Sequence, residues 1–172
     1  MSKRVWGIGA AGVLISFALG VTATYSWVKA TPEATKTEEP SMTRAVATHL
    51  MFDGAAEKAM KLYISLFSGS EIRQVERYGP GEQGAEGTIK RADFTLGGHH
   101  LICIDSPVKH AFTFTPSISI FVDCENEAEL NEAFKQLSEG GKVMMPLDNY
   151  GFSKKFGWVS DRFGVSWQLN LR

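Results

Sequence analysis

Over its C-terminal three quarters this chain reads as one stretch of protein written twice, the copies offset by roughly 70 residues. The first copy opens on the short apolar run His49-Leu-Met-Phe-Asp53 and closes on a hairpin centred at Gly97-Gly98. The second opens on Ser117-Ile-Ser-Ile-Phe-Val-Asp123 and closes on a hairpin centred at Gly164. In both, an apolar strand ending in Asp runs into an amphipathic helix and then into further strands. A repeated strand-helix-strands unit restricts the chain to architectures of two equivalent modules, and constrains the kind of pocket far more than the reaction.

Hydrophobic periodicity places the elements. A strand is expected over 45–52, followed by a helix because Ala56, Ala59, Met60, Tyr63 and Phe67 recur at helical spacing. Alternation predicts strands over 72–78, 88–96 and 101–105, and the glycine-rich stretch 79–87 predicts a mobile loop. After a connector, 106–116, a strand is expected over 117–123. A second helix follows with Asn126 as its cap and Glu129 three residues on, burying Leu130, Phe134 and Leu137 and ending at Gly140-Gly141. Strands over 142–145, 158–160 and 166–171 complete the set, with 146–155 as a second long loop. The expected fold class is α+β: two β-α-β-β-β modules forming a curved, mostly antiparallel sheet cup, preceded by an N-terminal transmembrane or signal helix.

That helix is read from Val5 to Val28, 24 residues without a charge behind Lys3 and Arg4, long enough to cross a bilayer with the basic flank in the cytoplasm. Length favours an uncleaved membrane anchor. The small residues Val21-Thr22-Ala23 suit a cleaved signal peptide, which would release a secreted protein. Both place the globular part outside the cytoplasm, in the periplasm of a Gram-negative cell, with the inner membrane as partner if the anchor is kept. Residues 29–42 mix Pro, Thr and charge without period and are expected to be a flexible linker spanning on the order of 20 Å. The domain itself is 43–172. It carries 14 Lys and Arg against 16 Asp and Glu, so a nucleic-acid partner is not expected. Cys103 and Cys124 lack redox-motif spacing and are expected to be separately buried thiols.

Three separated strings carry a family resemblance: Ile118-Ser-Ile-Phe-Val-Asp-Cys-Glu-Asn-Glu127, Leu137-Ser-Glu-Gly-Gly-Lys-Val-Met-Met-Pro-Leu-Asp148, and Gly157-Trp-Val-Ser-Asp-Arg-Phe-Gly-Val-Ser-Trp-Gln-Leu169. In this order they resemble the PhnB-like subgroup of the vicinal oxygen chelate superfamily, the fold of glyoxalase I, bleomycin-resistance proteins and extradiol dioxygenases. The resemblance runs from about Arg44 to the C-terminus. It implies a cup that in the metal enzymes holds a divalent ion chelated by two substrate oxygens. Gln168 falls at the last-strand ligand position, Ser117 where the second half usually opens with His, Asp93 near the middle-strand carboxylate, and His49 near the first-strand ligand.

Serine and a neutral amide are weak ligands for Zn²⁺ or Ni²⁺, so a divalent metal is a candidate cofactor, with His49, Asp93 and Gln168 as its ligands, and not an obligatory one. With Gln168 facing the cup, alternation gives Arg91, Asp93, Ser117, Ser119, Phe121 and Gln168 as the pocket lining, with Trp167 turned into the core and Arg91 paired to Asp93, and the resemblance adds His49. His99 and His100 point to opposite faces and read as a solvated turn pair, and Lys109 with His110 lies where an anion could enter. The leading expectation is a membrane-tethered domain that binds a small polar or aromatic molecule. The alternatives are a metal-dependent lyase, isomerase or dioxygenase, and a homodimeric interaction module. The methyltransferase label borne by the subgroup has no visible cofactor site in this sequence.

Overall fold

A computed structural model describes residues 45–172. The anchor or signal segment of 1–28 and the linker 29–42 lie outside the described residues, and among the described residues no helix is long and apolar enough to cross a membrane. Residues 43–172 form one compact unit.

The module repeats as expected. The order is β1 (Thr48–Phe52), α1 (Ala56–Leu66), β2 (Glu71–Arg77), β3 (Ile89–Leu96) and β4 (His99–Asp105). It is followed by β5 (Ile120–Asp123), α2 (Glu127–Ser138), β6 (Lys142–Asp148), β7 (Lys155–Ser160) and β8 (Ser166–Leu171). Each module builds a four-stranded sheet, β1-β4-β3-β2 and β5-β8-β7-β6. In each the first strand runs parallel to the last and the other pairs are antiparallel, so both sheets are mixed. No strand pairing joins the two sheets among the described residues, and the barrel stays open. The two hairpins that betrayed the repeat turn at Gly97-Gly98 and at Gly164, with φ of 50°, 85° and 91°. Residues with a Cβ rarely adopt that region.

Helix α1 buries Ala56, Ala59, Met60 and Tyr63, the face its spacing predicts. Its start has no side-chain cap; the Asp105 carboxylate at the end of β4 accepts from Ala56 N (2.9 Å) and from Ile89 N (3.0 Å) instead. Helix α2 is capped by Asn126 Oδ1, which accepts from Glu129 N, while Glu129 reaches back to Glu125 N, one residue upstream of the cap. Its deepest residues are Leu130, Ala133 and Leu137, with Phe134 only half-buried.

Both modules feed a single core. Trp167 of β8 faces the helices, fully buried, with its ring 4.7 Å from Tyr63 and stacked 6.0 Å from Phe67. At this junction Asp161, in the β7–β8 turn, accepts four hydrogen bonds: from Tyr63 OH (2.6 Å), Trp167 Nε1 (2.9 Å), Phe163 N (2.8 Å) and Val165 N (3.0 Å). Burial, reinforced by this carboxylate, pushes the Tyr63 phenol far above its usual range.

Three expectations are corrected. β6 continues through Pro146 to Asp148, because it is an outer strand and a missing N–H on its open side breaks no ladder. β5 begins at Ile120, where pairing with Trp167 starts, so 117–119 precede the strand. The glycine-rich stretch 79–87 is tied down by Gly87 N to Tyr78 O, by Arg77 to Gly87 O, and by Lys90 to Glu82.

Candidate functional site

β1 and β5 are each an edge strand of their sheet, and their unpaired edges line the same cavity of about 550 Å³. Apolar walls come from Leu50, Phe67, Leu96, Phe114, Ile120 and Val165, and polar groups from Thr48, His49, His99, Ser119 and Ser166. A concave space of this size with few polar groups among apolar ones suits a small organic molecule.

The polar end of the cavity is a network on the second sheet. Ser119 Oγ lies 2.6 Å from Ser166 Oγ, Trp158 Nε1 donates to Ser166 Oγ at 2.8 Å, and Gln168 Nε2 donates to Ser119 Oγ at 3.3 Å. Trp158 and Phe121 both stand opposite Gln168 in the strand register, so all three side chains occupy one face. Phe121 borders the cavity and stays exposed. Gln168 sits behind Ser119 and does not itself line the cavity. Ser117 is exposed in the loop before β5, its hydroxyl 2.6 Å from Thr115 Oγ1, and outside the cavity wall.

On the first sheet His49 projects away from Leu50 and Phe52 and borders the cavity. Asp93 lies elsewhere. Arg91 grips it through two hydrogen bonds (2.8 and 2.9 Å) and His100 Nε2 lies 3.1 Å from its other side. Burial alone would raise the Asp93 carboxyl, but Arg91 and His100 together outweigh it and hold the group below its usual range. The two histidines read as a solvated pair both have partners: His100 on Asp93, and His99 beside Thr48 Oγ1 at 2.9 Å on the cavity rim. Three residues are absent from the expected site: Ser166, which lines the cavity, Trp158, which is bonded to Ser166 without lining it, and Phe114 in the wall. The first two share the strand face of Gln168, which period-two alternation gives. Phe114 sits in the connector, where no period operates.

A family model described as 3-demethylubiquinone-9 3-methyltransferase matches residues 44–170. A solved structure described as a putative 3-demethylubiquinone-9 3-methyltransferase, PhnB protein, from Bacillus cereus is 51% identical. The match covers 75% of this chain and all of that one, with a TM-score of 0.73. The chain belongs to this PhnB-like family. A Pseudomonas aeruginosa protein of known structure is 27% identical over 76% of this chain and 98% of its own, with a TM-score of 0.66. An Arabidopsis thaliana gene product, 17% identical over 74% of this chain and 98% of its own at a TM-score of 0.51, shares the fold. No curated protein matches the chain. The Bacillus cereus chain corresponds along its whole length to the part of this chain that forms the compact domain.

The superfamily's divalent metal is a poor fit to the residues present in this PhnB-like domain. Asp93 pairs across the sheet with Ile102, and Ile102 with His49, so Asp93 and His49 are two strand spacings apart, about 10 Å. Both Asp93 oxygens already accept from Arg91, and neither Asp93 nor Gln168 borders the cavity that His49 borders. Among the described residues no three His, Cys, Asp or Glu side chains cluster as a ligand set. The thiols offer no substitute: Cys103 and Cys124 are buried and free, and burial first, then nearby carboxylates, pushes each up to about 12.

Proposed function

We propose that this PhnB-like domain is a binding module that holds a small polar or aromatic molecule in the cavity between β1 and β5, without an obligatory metal. One observation carries the reading: a space of about 550 Å³ whose apolar walls meet a hydroxyl–indole–amide network at Ser119, Ser166, Trp158 and Gln168. The network itself offers hydrogen-bond donors and acceptors; the titratable side chains that border the cavity are His49, His99 and Asp123, while Asp93 lies outside it, engaged with Arg91 and His100. We further propose, from residues 1–28, that the domain is tethered to the inner membrane on its extracytoplasmic side, or secreted if the segment is cleaved.

Native mass spectrometry of the gently purified domain, with metal analysis on the same sample, tests the binding reading. A bound small molecule lost on Ser119→Phe supports it. Stoichiometric, tightly held Zn²⁺, Ni²⁺ or Mn²⁺ would reject the metal-free form. For the tether, the full chain should stay with membranes through alkaline carbonate washing and be digested by protease added outside the inner membrane. A homodimeric reading draws on one observation, that Ile72, Val75 and Val143 remain exposed on outer strands of the two sheets. Sedimentation of the domain at high concentration checks it, and a monomer there would remove it.

A further inference from the structure

We infer that a second cavity, of about 610 Å³, is a binding site for a small molecule with an anionic head on an aromatic body. It lies on the other side of Phe114 from the first cavity, between β1, the connector after β4 and the β7–β8 turn, and it is independent of the function proposed above.

Its charge is unlike that of the rest of the domain. The chain as a whole has a net charge of −1, yet this cavity is bordered by two cations, Lys109 and Arg162, and the imidazole of His110, against one carboxylate, Asp53. Among the described residues neither Lys109 nor Arg162 has a carboxylate partner; Lys58, Lys135, Lys142 and Lys154 share that state, but none of them borders this cavity. Arg162 makes a single long contact, from Nη1 to the Glu139 carbonyl at 3.4 Å, leaving most of its donor fork unspent. An arginine fork with free donors matches a carboxylate or phosphate oxygen pair.

Aromatic surface surrounds those cations. The Arg162 guanidinium lies over the Phe163 ring at 5.2 Å, and His110 stacks on Phe112 at 4.8 Å while its Nε2 is held 2.9 Å from Ser106 Oγ. Phe112 borders the cavity and remains 67% exposed despite that stacking. The Arg162 cation held over Phe163, with Lys109 and the exposed Phe112 ring bordering the same cavity, presents two surfaces at once: a charged one for the head and a flat apolar one for the body. An inorganic anion would use only the first, and a neutral aromatic only the second.

Titration of the domain, residues 43–172, with 4-fluorobenzoate followed by fluorine NMR tests this, with 4-fluorophenyl phosphate and the neutral 4-fluorobenzamide in parallel. We expect saturable binding of one or both anions and binding of the amide weaker by about 10-fold or more, the size of one lost charge-assisted hydrogen bond. The double substitution Lys109→Gln with Arg162→Gln, both at exposed positions, should weaken anion binding by at least about 10-fold without moving the thermal midpoint. Which anion binds better identifies the head. Phe112→Ala should weaken both anions together. Equal binding of the amide, absence of saturation at millimolar probe, or loss of binding on Ser119→Phe but not on the double substitution would overturn the inference. So would vesicles of phosphatidylglycerol sedimenting the domain through Lys109 and Arg162 while the soluble anions fail to bind.

Discussion

Asp161→Ala should be among the most destabilising single substitutions in this domain. The carboxylate accepts from four donors, of which Tyr63 OH, Trp167 Nε1 and Val165 N are in buried hydrogen bonds and Phe163 N is partly buried. An orphaned buried donor costs about 1–3 kcal/mol. Three of them, less the relief from a water filling part of the vacated space, give about 3–5 kcal/mol, a large share of the roughly 5–15 kcal/mol by which domains are stable. Tyr63→Phe removes one donor and leaves the carboxylate three, so about 1–2 kcal/mol is expected. Urea unfolding followed by tryptophan fluorescence reads both, since Trp167 lies in the network and the midpoint shift multiplied by the slope gives the difference. A cost below about 1 kcal/mol for Asp161→Ala, or a Tyr63→Phe cost equal to it, would refute the view that this one carboxylate fastens the first helix to the second module.

Other substitutions separate the remaining claims. Gly141→Ala would place a Cβ 2.4 Å from the Ser160 carbonyl and 2.9 Å from that of Leu137, both backbone atoms, and should lower stability by about 2 kcal/mol or more in the same urea assay. Gly157→Ala meets the side chains of Phe134 and Leu147 instead and should cost less. Glu57, hydrogen-bonded first to Arg77 and then to Lys61, has its carboxyl lowered to about 2. Its stabilisation is therefore present above the ordinary value of 4.5 and fades as pH falls toward 2. Glu57→Gln should then cost about 0.5 kcal/mol at pH 7, limited by solvent screening, and nothing near pH 2, as thermal melts across pH will show. Cys103 and Cys124, both pushed up to about 12, should resist thiol-specific labelling of the native domain at pH 8 and react once urea unfolds it; prompt native labelling would contradict their burial. Asn126→Ala should cost about 1 kcal/mol by freeing Glu129 N, measured by the same unfolding curves.

The two-module architecture was legible because it rests on periodicities that a single strand or helix carries alone. Ala56, Ala59, Met60 and Tyr63 announce a buried helical face, and the glycines at 97 and 164 mark equivalent turns. The Arg91–Asp93 pair likewise follows from a spacing of two on a strand. The cavity was less legible, because alternation tells which face of a sheet a side chain occupies but not where the edges of two sheets meet. Ser117 was placed by extending β5 to the start of its apolar run, whereas pairing with β8 begins at Ile120, leaving Ser117 in solvent. The loop expected from Pro146 onward is shorter because β6 runs on to Asp148, an outer strand in which a proline breaks no inner ladder. Asp161 was missed because its four partners come from one local turn and from a helix about 100 residues earlier in the sequence. No local pattern encodes that encounter.

The outer strands have a consequence for how copies of this protein behave in company. β2 exposes Glu71, Arg73, Glu76 and Arg77 along its length, and β6 bears Lys142, Pro146 and Asp148. A neighbour arriving side-on would have to strip water from these charges or pair with a residue that has no N–H to give, so the backbone stacking that seeds fibrils finds no foothold at either rim. Only these two rims are guarded in this way, since β1 and β5 keep their own unpaired edges beside the cavity.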